Sequence, residues 1–272
     1  MIAPAPPHFI AISCYLGAAA LAAVPFARPI KAPVNAVLGV LGLGILAHAI
    51  ALIEFARRAD AVPLTGLGPA LSFAGLVLAF TLFVVELLAR DVSLTLVAAP
   101  LAAIPTIFAN IIGLNPGPTA EGMRGVWLFA HIALSFVGIA AFATAAAAGA
   151  MYMVQRHELK SRRFVGGTVF RLFPPLATLD RVNHVAAIAG WLGLTLGVVL
   201  ASTYSVAYHE MNLPQLVWGL GAWLAVTCVA LGRMARGWQA QRAAKYSSAA
   251  FVAVLVLYVA FRVAGPAAGQ FL

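Results

Sequence analysis

The chain has 272 residues, of which 63% are hydrophobic and only 9% are charged. A soluble domain carries roughly 25% charged residues, so this composition cannot cover a surface that faces water and excludes a soluble protein. It indicates an integral membrane protein. The net charge of +9 then reflects the positive-inside bias and contact with anionic lipids, and we expect no nucleic-acid partner.

Eight apolar runs are long enough to cross a bilayer, which takes about 20 residues per helix. They predict an all-α polytopic membrane helix bundle that forms a single integral membrane domain over residues 1–272. The predicted helices cover residues 8–26, 34–56, 67–89, 92–113, 124–155, 182–203, 213–234 and 246–264. The fourth contains Pro100 and Pro105, and it is either a kinked span or a broken, re-entrant segment.

Basic residues concentrate on one side of this predicted topology. Most of the 17 lysines and arginines lie in the connections after the first, third, fifth and seventh helices. The positive-inside rule puts those connections in the cytoplasm and both termini outside. No Lys or Arg precedes the first apolar run, so we expect a retained helix there rather than a signal peptide.

The longest predicted connection covers residues 156–181 and mixes basic residues with Phe164, Phe170 and Phe173. This composition is typical of a segment that lies on the lipid surface, with basic groups on anionic headgroups. A surface that docks another protein is the alternative.

Two histidines, His48 and His131, lie inside long apolar runs, where a polar ring needs a hydrogen-bond partner or a functional role. Helical rise puts His48 roughly 13 Å and His131 roughly 10 Å below the outer membrane surface, so we expect both rings at one depth. Neutral imidazoles from two facing helices can ligate haem iron. Alternatively, each ring forms a structural hydrogen bond with a neighbouring helix.

The remaining polar residues give weaker signals. We expect His8 and His209 at the outer surface, where they could reach a substrate or be solvated. Glu54 and Glu86 lie near helix ends, where they can reach solvent or pair with nearby arginines. There is no acid–base pair, nucleophile arrangement or phosphate-binding loop, so we expect no enzymatic activity.

Small residues are abundant in the second and fifth helices. The second contains Gly39, Gly42 and Gly44, and the fifth contains the run AFATAAAAGA. Such faces let helices approach closely, and they could also leave room for a flat ligand.

Several passages resemble the cytochrome c assembly protein family, membrane proteins that handle haem during maturation of c-type cytochromes. They are WLFAHIALSFVGIAAF, FPPLATLDRVNHVAAIAGWLGLTLGVVLA, LPQLVWGLGAWL and GWQAQRAAKYSSAAFVAVLVLY. In the N-terminal half, ILAHAIALIEFARR is similar to the second helix of the shorter eight-span branch, called HemX-like or YpjD-like.

The resemblance implies the membrane bundle, a place in the bacterial inner membrane, and partners among haem, lipid and cytochrome-maturation proteins. His131 corresponds to a histidine that opens a family helix, and the shorter branch brings in His48. The two would be the axial, metal-binding ligands of a b-type haem in the outer half of the bundle. Trp127, Trp218 and Trp223 would line that site.

Two functions of different classes therefore stay open. One is a protein that binds and positions haem, which the paired histidines favour. The other is a cofactor-free partner or regulatory membrane subunit. It is favoured because haem-transferring members carry tryptophans where this chain reads STYSVAYHEMN. A transporter is a third reading, weakened by the scarcity of buried carboxylates and broken helices.

Overall fold

The computed structural model describes residues 6–27, 33–60, 64, 66–89, 92–117, 122–160, 174–209 and 213–264. In these ranges the chain is all-α, with eight helices and no β-strand. They are α1 (Pro6–Ala27), α2 (Val34–Ala59), α3 (Leu67–Ala89), α4 (Thr95–Ile112), α5 (Gly122–Lys160), α6 (Leu176–Tyr208), α7 (Leu213–Met234) and α8 (Ala240–Ala264). Six of them, α2 to α7, are long and apolar enough to cross a membrane. The predicted polytopic helical membrane bundle is confirmed.

The helices form two groups of four, and the largest cluster of buried core residues draws on both groups. In the first group α1 and α3 each pack against both α2 and α4, which closes a ring. In the second group α5 and α7 each pack against both α6 and α8. The groups meet where α5 contacts α3 and, to a smaller extent, α4. The pairing of α5 with α6 is the most extensive contact in the bundle.

Small residues bring the central helix α5 close to its neighbours. Its residues from Ala140 to Gly149 are all buried. A methyl carbon added at Gly149 would lie 2.8 Å from the backbone oxygen of Ala244 on α8, so the two backbones are in direct contact. In the first group, Gly44 on α2 is similarly tight against Cys14 and Tyr15 on α1. The small-residue faces are therefore used for close helix packing.

The fourth helix is continuous. Both Pro100 and Pro105 lie inside α4, which is 18 residues long, so the broken, re-entrant alternative is not what the structure has. The carboxylate of Glu86, fully buried on α3, accepts a 2.6 Å hydrogen bond from the backbone N–H of Thr95, the first residue of α4. A carboxylate there compensates the unpaired N–H groups and positive dipole of the helix start. The expectation that Glu86 reaches solvent was wrong, whereas Glu54 pairs with Arg58 at 3.2 Å as expected.

Two helices are longer than their apolar runs. α5 continues to Lys160 and α6 begins at Leu176, directly after Pro174 and Pro175, so residues 156–160 and 176–181 are helical. Polar residues had marked the start of α6 as a connection, but proline is compatible with a helix start, and Pro175 is the N-cap residue of α6. Residues 161–173, the centre of the predicted lipid-surface segment, lie outside the described residues. Their role stays a prediction.

Those polar residues at the start of α6 have partners on α7. The Arg233 guanidinium donates to the Asp180 carboxylate at 2.6 Å and to Nδ1 of His184 at 3.1 Å. Its side chain is nearly buried, so the ion pair ties the predicted cytoplasmic ends of the two helices together.

Candidate functional site

One face of α5 carries polar and aromatic side chains at one-turn intervals, and all of them point at α6. Trp127 Nε1 donates to the backbone oxygen of Leu200 at 3.1 Å. One turn deeper, His131 Nδ1 lies 2.8 Å from the backbone oxygen of Gly197. One further turn down, Ser135 lies against Gly197. A methyl carbon added at Gly197 would collide with the Ser135 hydroxyl. We call this line of contacts the α5–α6 seam.

The hydrogen bond of His131 fixes the state of its ring. A carbonyl oxygen can only accept, so Nδ1 carries the proton and Nε2 presents a lone pair. Among the described residues no hydrogen bond occupies Nε2, and the side chain is only half-buried. A histidine that donates one N–H to a backbone carbonyl while the other nitrogen is a free base has the arrangement of a metal ligand.

A group of aromatic rings and one arginine lies above His131, toward the predicted outer surface. The Arg124 guanidinium donates through Nε to the Tyr204 hydroxyl at 2.8 Å. Its central carbon is 5.8 Å and 5.0 Å from the ring centres of Tyr204 and Tyr208. The Trp127 ring meets both tyrosines edge-on, at 6.5 Å and 6.2 Å between centres. We call these four residues the outer aromatic group.

Sequence reasoning missed three members of the outer aromatic group. Tyr204 and Tyr208 were assigned to an outer connection, but α6 continues to Tyr208. Their spacing of four residues, and the spacing of seven residues from Arg124 to His131, are helical spacings that place side chains on one face. These spacings could have been found in the sequence if the sixth helix had been extended to Tyr208.

His48 has a complete set of partners inside the first helix group. Its Nδ1 lies 3.0 Å from the Tyr15 hydroxyl on α1, and its Nε2 lies 2.9 Å from the Ser72 hydroxyl on α3. His8 Nε2 contacts the same Ser72 hydroxyl at 2.9 Å, and the two imidazole centres are 5.5 Å apart. His8, Tyr15, His48 and Ser72 are all fully buried.

His8 is therefore not at the surface, and the expectation that it is solvated or reaches a substrate was wrong. Its position near the start of α1 suggested exposure, but its ring lies on the buried face of α1 and contacts Ser72 on α3, whereas the neighbouring Phe9 and Ile10 are exposed. Its Nδ1 is buried without a hydrogen-bond partner among the described residues. His209 is exposed, as expected.

Among the described residues, His48 and His131 have hydrogen-bond partners on different helices. His48 belongs to the first helix group and His131 to the second. α3 packs against both α2 and α5: Ser72 on α3 bonds to His48, and its neighbour Phe73 meets Phe136 on α5 at 5.9 Å between ring centres. At this depth α3 therefore contacts both histidine-bearing helices. Rise along a helix predicts the depth of His48 and of His131, but it does not predict toward which neighbouring helix each ring points.

The other two predicted tryptophans lie on α7, away from His131. Trp223 Nε1 donates to the Thr195 hydroxyl on α6 at 3.0 Å. Thr195 and Gly197 are two residues apart in a helix, so they face different sides of α6. Trp218 packs edge-on against Tyr258 on α8, at 5.4 Å between ring centres. Of the predicted tryptophans, only Trp127 shares the seam with His131.

Comparison with known proteins identifies the family. The sequence model of the family described as Cytochrome C assembly protein matches residues 36–267, which is most of the chain. The protein belongs to the cytochrome c assembly family. The resemblance in its helices is thus confirmed, and the match includes His48, Ser72 and the whole α5–α6 seam but not His8 or Tyr15.

Two curated relatives match parts of the chain. A cytochrome c biogenesis protein CcsA of Prochlorococcus marinus (strain MIT 9515) is 23% identical over 160 residues, 50% of each chain. A protein of Azospirillum brasilense, described as an uncharacterized 28.8 kDa protein in the nifR3-like 5' region, is 32% identical over 104 residues, 38% of this chain and 37% of its own length. The chain thus spans half or less of the length of these relatives.

Proposed function

We propose that this cytochrome c assembly family protein binds and positions haem at the outer end of the α5–α6 seam, with His131 Nε2 as an axial ligand. The observation that carries the proposal is the hydrogen bond from His131 Nδ1 to the Gly197 carbonyl, because it leaves Nε2 as the iron-binding nitrogen. Family membership supplies the cofactor class. A haem here would be a bound cofactor or cargo and not a centre of turnover.

The residues around His131 fit this role. The Gly197 carbonyl holds the imidazole plane and increases the basicity of Nε2. Trp127, anchored by its hydrogen bond to Leu200, supplies an aromatic surface one turn further out. Gly197 has no side chain, so the α6 backbone can come close to α5 at Ser135, one turn from His131.

A bis-histidine b-type site with His48 as the other axial ligand stays a prediction. For His48 to bind iron it would exchange a hydrogen bond to Tyr15 or Ser72. These contacts favour a structural role for His48. The spectrum of a His48 variant separates the two roles.

The test is the visible spectrum of protein purified from cells supplied with a haem precursor. We expect a Soret band that is lost in His131→Ala and kept in His157→Ala, an exposed histidine at the far end of the same helix. If His48 is a ligand, His48→Ala also loses the band at unchanged thermal stability. If His48 is structural, this variant keeps the band and unfolds at a lower temperature.

A second function, a cofactor-free partner or regulatory subunit, is supported by a different observation. Both histidines already have protein hydrogen-bond partners, so neither requires a ligand to be satisfied in the membrane. A colourless wild-type protein, with normal folding in the wild type and in His131→Ala, would contradict the haem proposal and favour this one.

A further inference from the structure

We propose that the turn between α7 and α8 binds the headgroup of an anionic phospholipid. The residues that carry this proposal are Arg236, Trp238, Arg242, Lys245 and Tyr246, which we call the turn surface. Trp238 is half-buried and the other four are exposed. They lie at the predicted cytoplasmic end of the second helix group. The inference is independent of the proposed haem site, which lies toward the opposite side of the membrane.

Trp238 is held in place by the end of α7. Its backbone N–H donates to the Gly232 carbonyl at 3.1 Å. A methyl carbon added at Gly232 would lie 2.6 Å from the indole ring, so the ring packs directly on the α7 backbone. Gly237, with φ of 56°, supplies the left-handed conformation that turns the chain toward α8. The position of the indole is therefore set by backbone contacts and not by a flexible side chain alone.

The Trp238 ring joins α8 through Tyr246. The two ring centres are 4.8 Å apart and the planes are inclined by 33°. Tyr246 follows Arg242 by four residues and Lys245 follows it by three, so all three project from one side of α8. Tryptophan and tyrosine are enriched at the level of lipid headgroups. The stacked rings and the two cations thus form one continuous surface at that level.

The positive charge of the turn surface is not compensated by the described part of the protein. Residues 231–246 include four arginines and lysines and no acidic residue. Arg233 pairs with Asp180, but within the described ranges no hydrogen bond or ion pair involves Arg236, Arg242 or Lys245. Like charges on adjacent turns of a helix repel each other. A phosphate between them removes this repulsion, and a guanidinium matches its geometry with two parallel N–H donors.

The neighbouring side chains favour a phospholipid over a soluble anion or an acidic protein. On α7, which is long and apolar enough to cross a membrane, Leu231 and Met234 are exposed directly before the turn. On α8, Val252 is exposed beyond Tyr246. A phospholipid places acyl chains against these side chains while its phosphate meets the turn surface. A water-soluble partner contacts only the charged end.

The experiment measures lipid preference at this surface. The full chain in dodecyl maltoside micelles is titrated with dansyl-labelled phosphatidylglycerol or phosphatidylcholine, and energy transfer from tryptophan reports binding. We expect tighter binding of phosphatidylglycerol, weakened by salt. A basic residue near the membrane surface contributes about fivefold in affinity for anionic lipid. Arg242→Gln should therefore weaken phosphatidylglycerol binding about fivefold, and the double variant with Lys245→Gln roughly thirtyfold, with phosphatidylcholine unchanged.

Arg181→Gln is the matched control. Arg181 is exposed on α6 at the same predicted end but lies outside the turn surface, so we expect its loss to leave lipid binding unchanged. An equal loss in Arg181→Gln and Arg242→Gln would show a diffuse basic face and overturn the defined surface. A wild type without preference for phosphatidylglycerol would also overturn it.

A polyglutamate peptide tests the competing occupant. If the peptide binds the wild type more tightly than phosphatidylglycerol does, and the double variant loses that binding, the surface belongs to an acidic protein and the lipid proposal is wrong. Because Arg242 and Lys245 are exposed, we expect the variants to unfold at the temperature of the wild type. A change in lipid binding then reports on the surface and not on the fold.

Discussion

At the scale of single residues, Ser72 connects two buried histidines through one hydroxyl group. Its Oγ lies 2.9 Å from Nε2 of His8 and 2.9 Å from Nε2 of His48. The hydroxyl has a single hydrogen, so it donates to one ring at most and the other ring must donate to it. The protonation of the two imidazoles is therefore linked through Ser72, and the neutral cluster needs no charge within the membrane.

Ser72→Ala should destabilise the protein by about 1–2 kcal/mol, because two buried imidazole nitrogens lose their partner. The measurement is the free energy of unfolding in mixed detergent micelles. Ser202→Ala is the control, since Ser202 is exposed and, within the described part of the chain, bonds only to Val198 of its own helix. A change of the same size in both variants would show that the shared hydroxyl has no special role.

At the scale of helices, glycines decide how close α5 and α6 can lie. A methyl carbon added at Gly138 would be 2.7 Å from the backbone nitrogen of Leu194 and 3.0 Å from the backbone oxygen of Gly190. Gly193 on α6 is equally close to the Gly138 backbone. This backbone contact holds the seam at the distance that lets His131 and Trp127 reach carbonyl oxygens of α6.

Gly138→Ala should therefore destabilise the protein by about 1–3 kcal/mol through overpacking, and it should weaken haem binding by displacing His131. Gly39→Ala is the matched control, since an added carbon at Gly39 on α2 meets nothing within 4 Å. There we expect no loss and a gain of up to about 1 kcal/mol, because alanine favours the helix. Thermal unfolding of both variants in detergent checks this, and a tolerated Gly138→Ala would contradict the packing argument.

At the scale of the whole molecule, two four-helix groups meet at α3 and α5, with His48 in one group and His131 in the other. The helix bundle fixes which helix ends share a side but not which side faces the cytoplasm. Sidedness rests on the arginines and lysines, which are concentrated on one side in the predicted topology. Both termini are predicted to lie outside.

Cysteine labelling tests this orientation. Cys14 and Cys228 are free thiols, so both are first replaced by alanine. In that background Met123→Cys and Gln239→Cys place a thiol at exposed, uncharged positions at opposite ends of the bundle. An impermeant maleimide added to intact spheroplasts should label Met123→Cys and spare Gln239→Cys. Labelling of Gln239→Cys alone would reverse the orientation.

Much of the fold follows from local sequence. Unpaired backbone N–H and C=O groups are costly in hydrocarbon, so a long apolar run forms a helix. The bounds of α7, Leu213–Met234, are the ones predicted. Helix ends were less predictable. Asp180 was assigned to a connection, and Asn183 and His184 to the first residues of the predicted helix, yet all three pair with α5, α7 or α8 inside the bundle. A polar residue at a helix end gives no local sign of a partner on another helix.

The sequence by itself determined the membrane class, the all-α bundle and the family, and it predicted a depth for His48 and His131. These depend on hydrophobicity and on rise along a helix, which are properties of contiguous residues. Only the tertiary structure decided that His48 faces Tyr15 and Ser72, that His131 donates to Gly197, and that Tyr204 and Tyr208 enclose Arg124. Such contacts join residues 24 to 84 positions apart. They depend on the rotation of each helix about its axis, which packing against neighbouring helices sets.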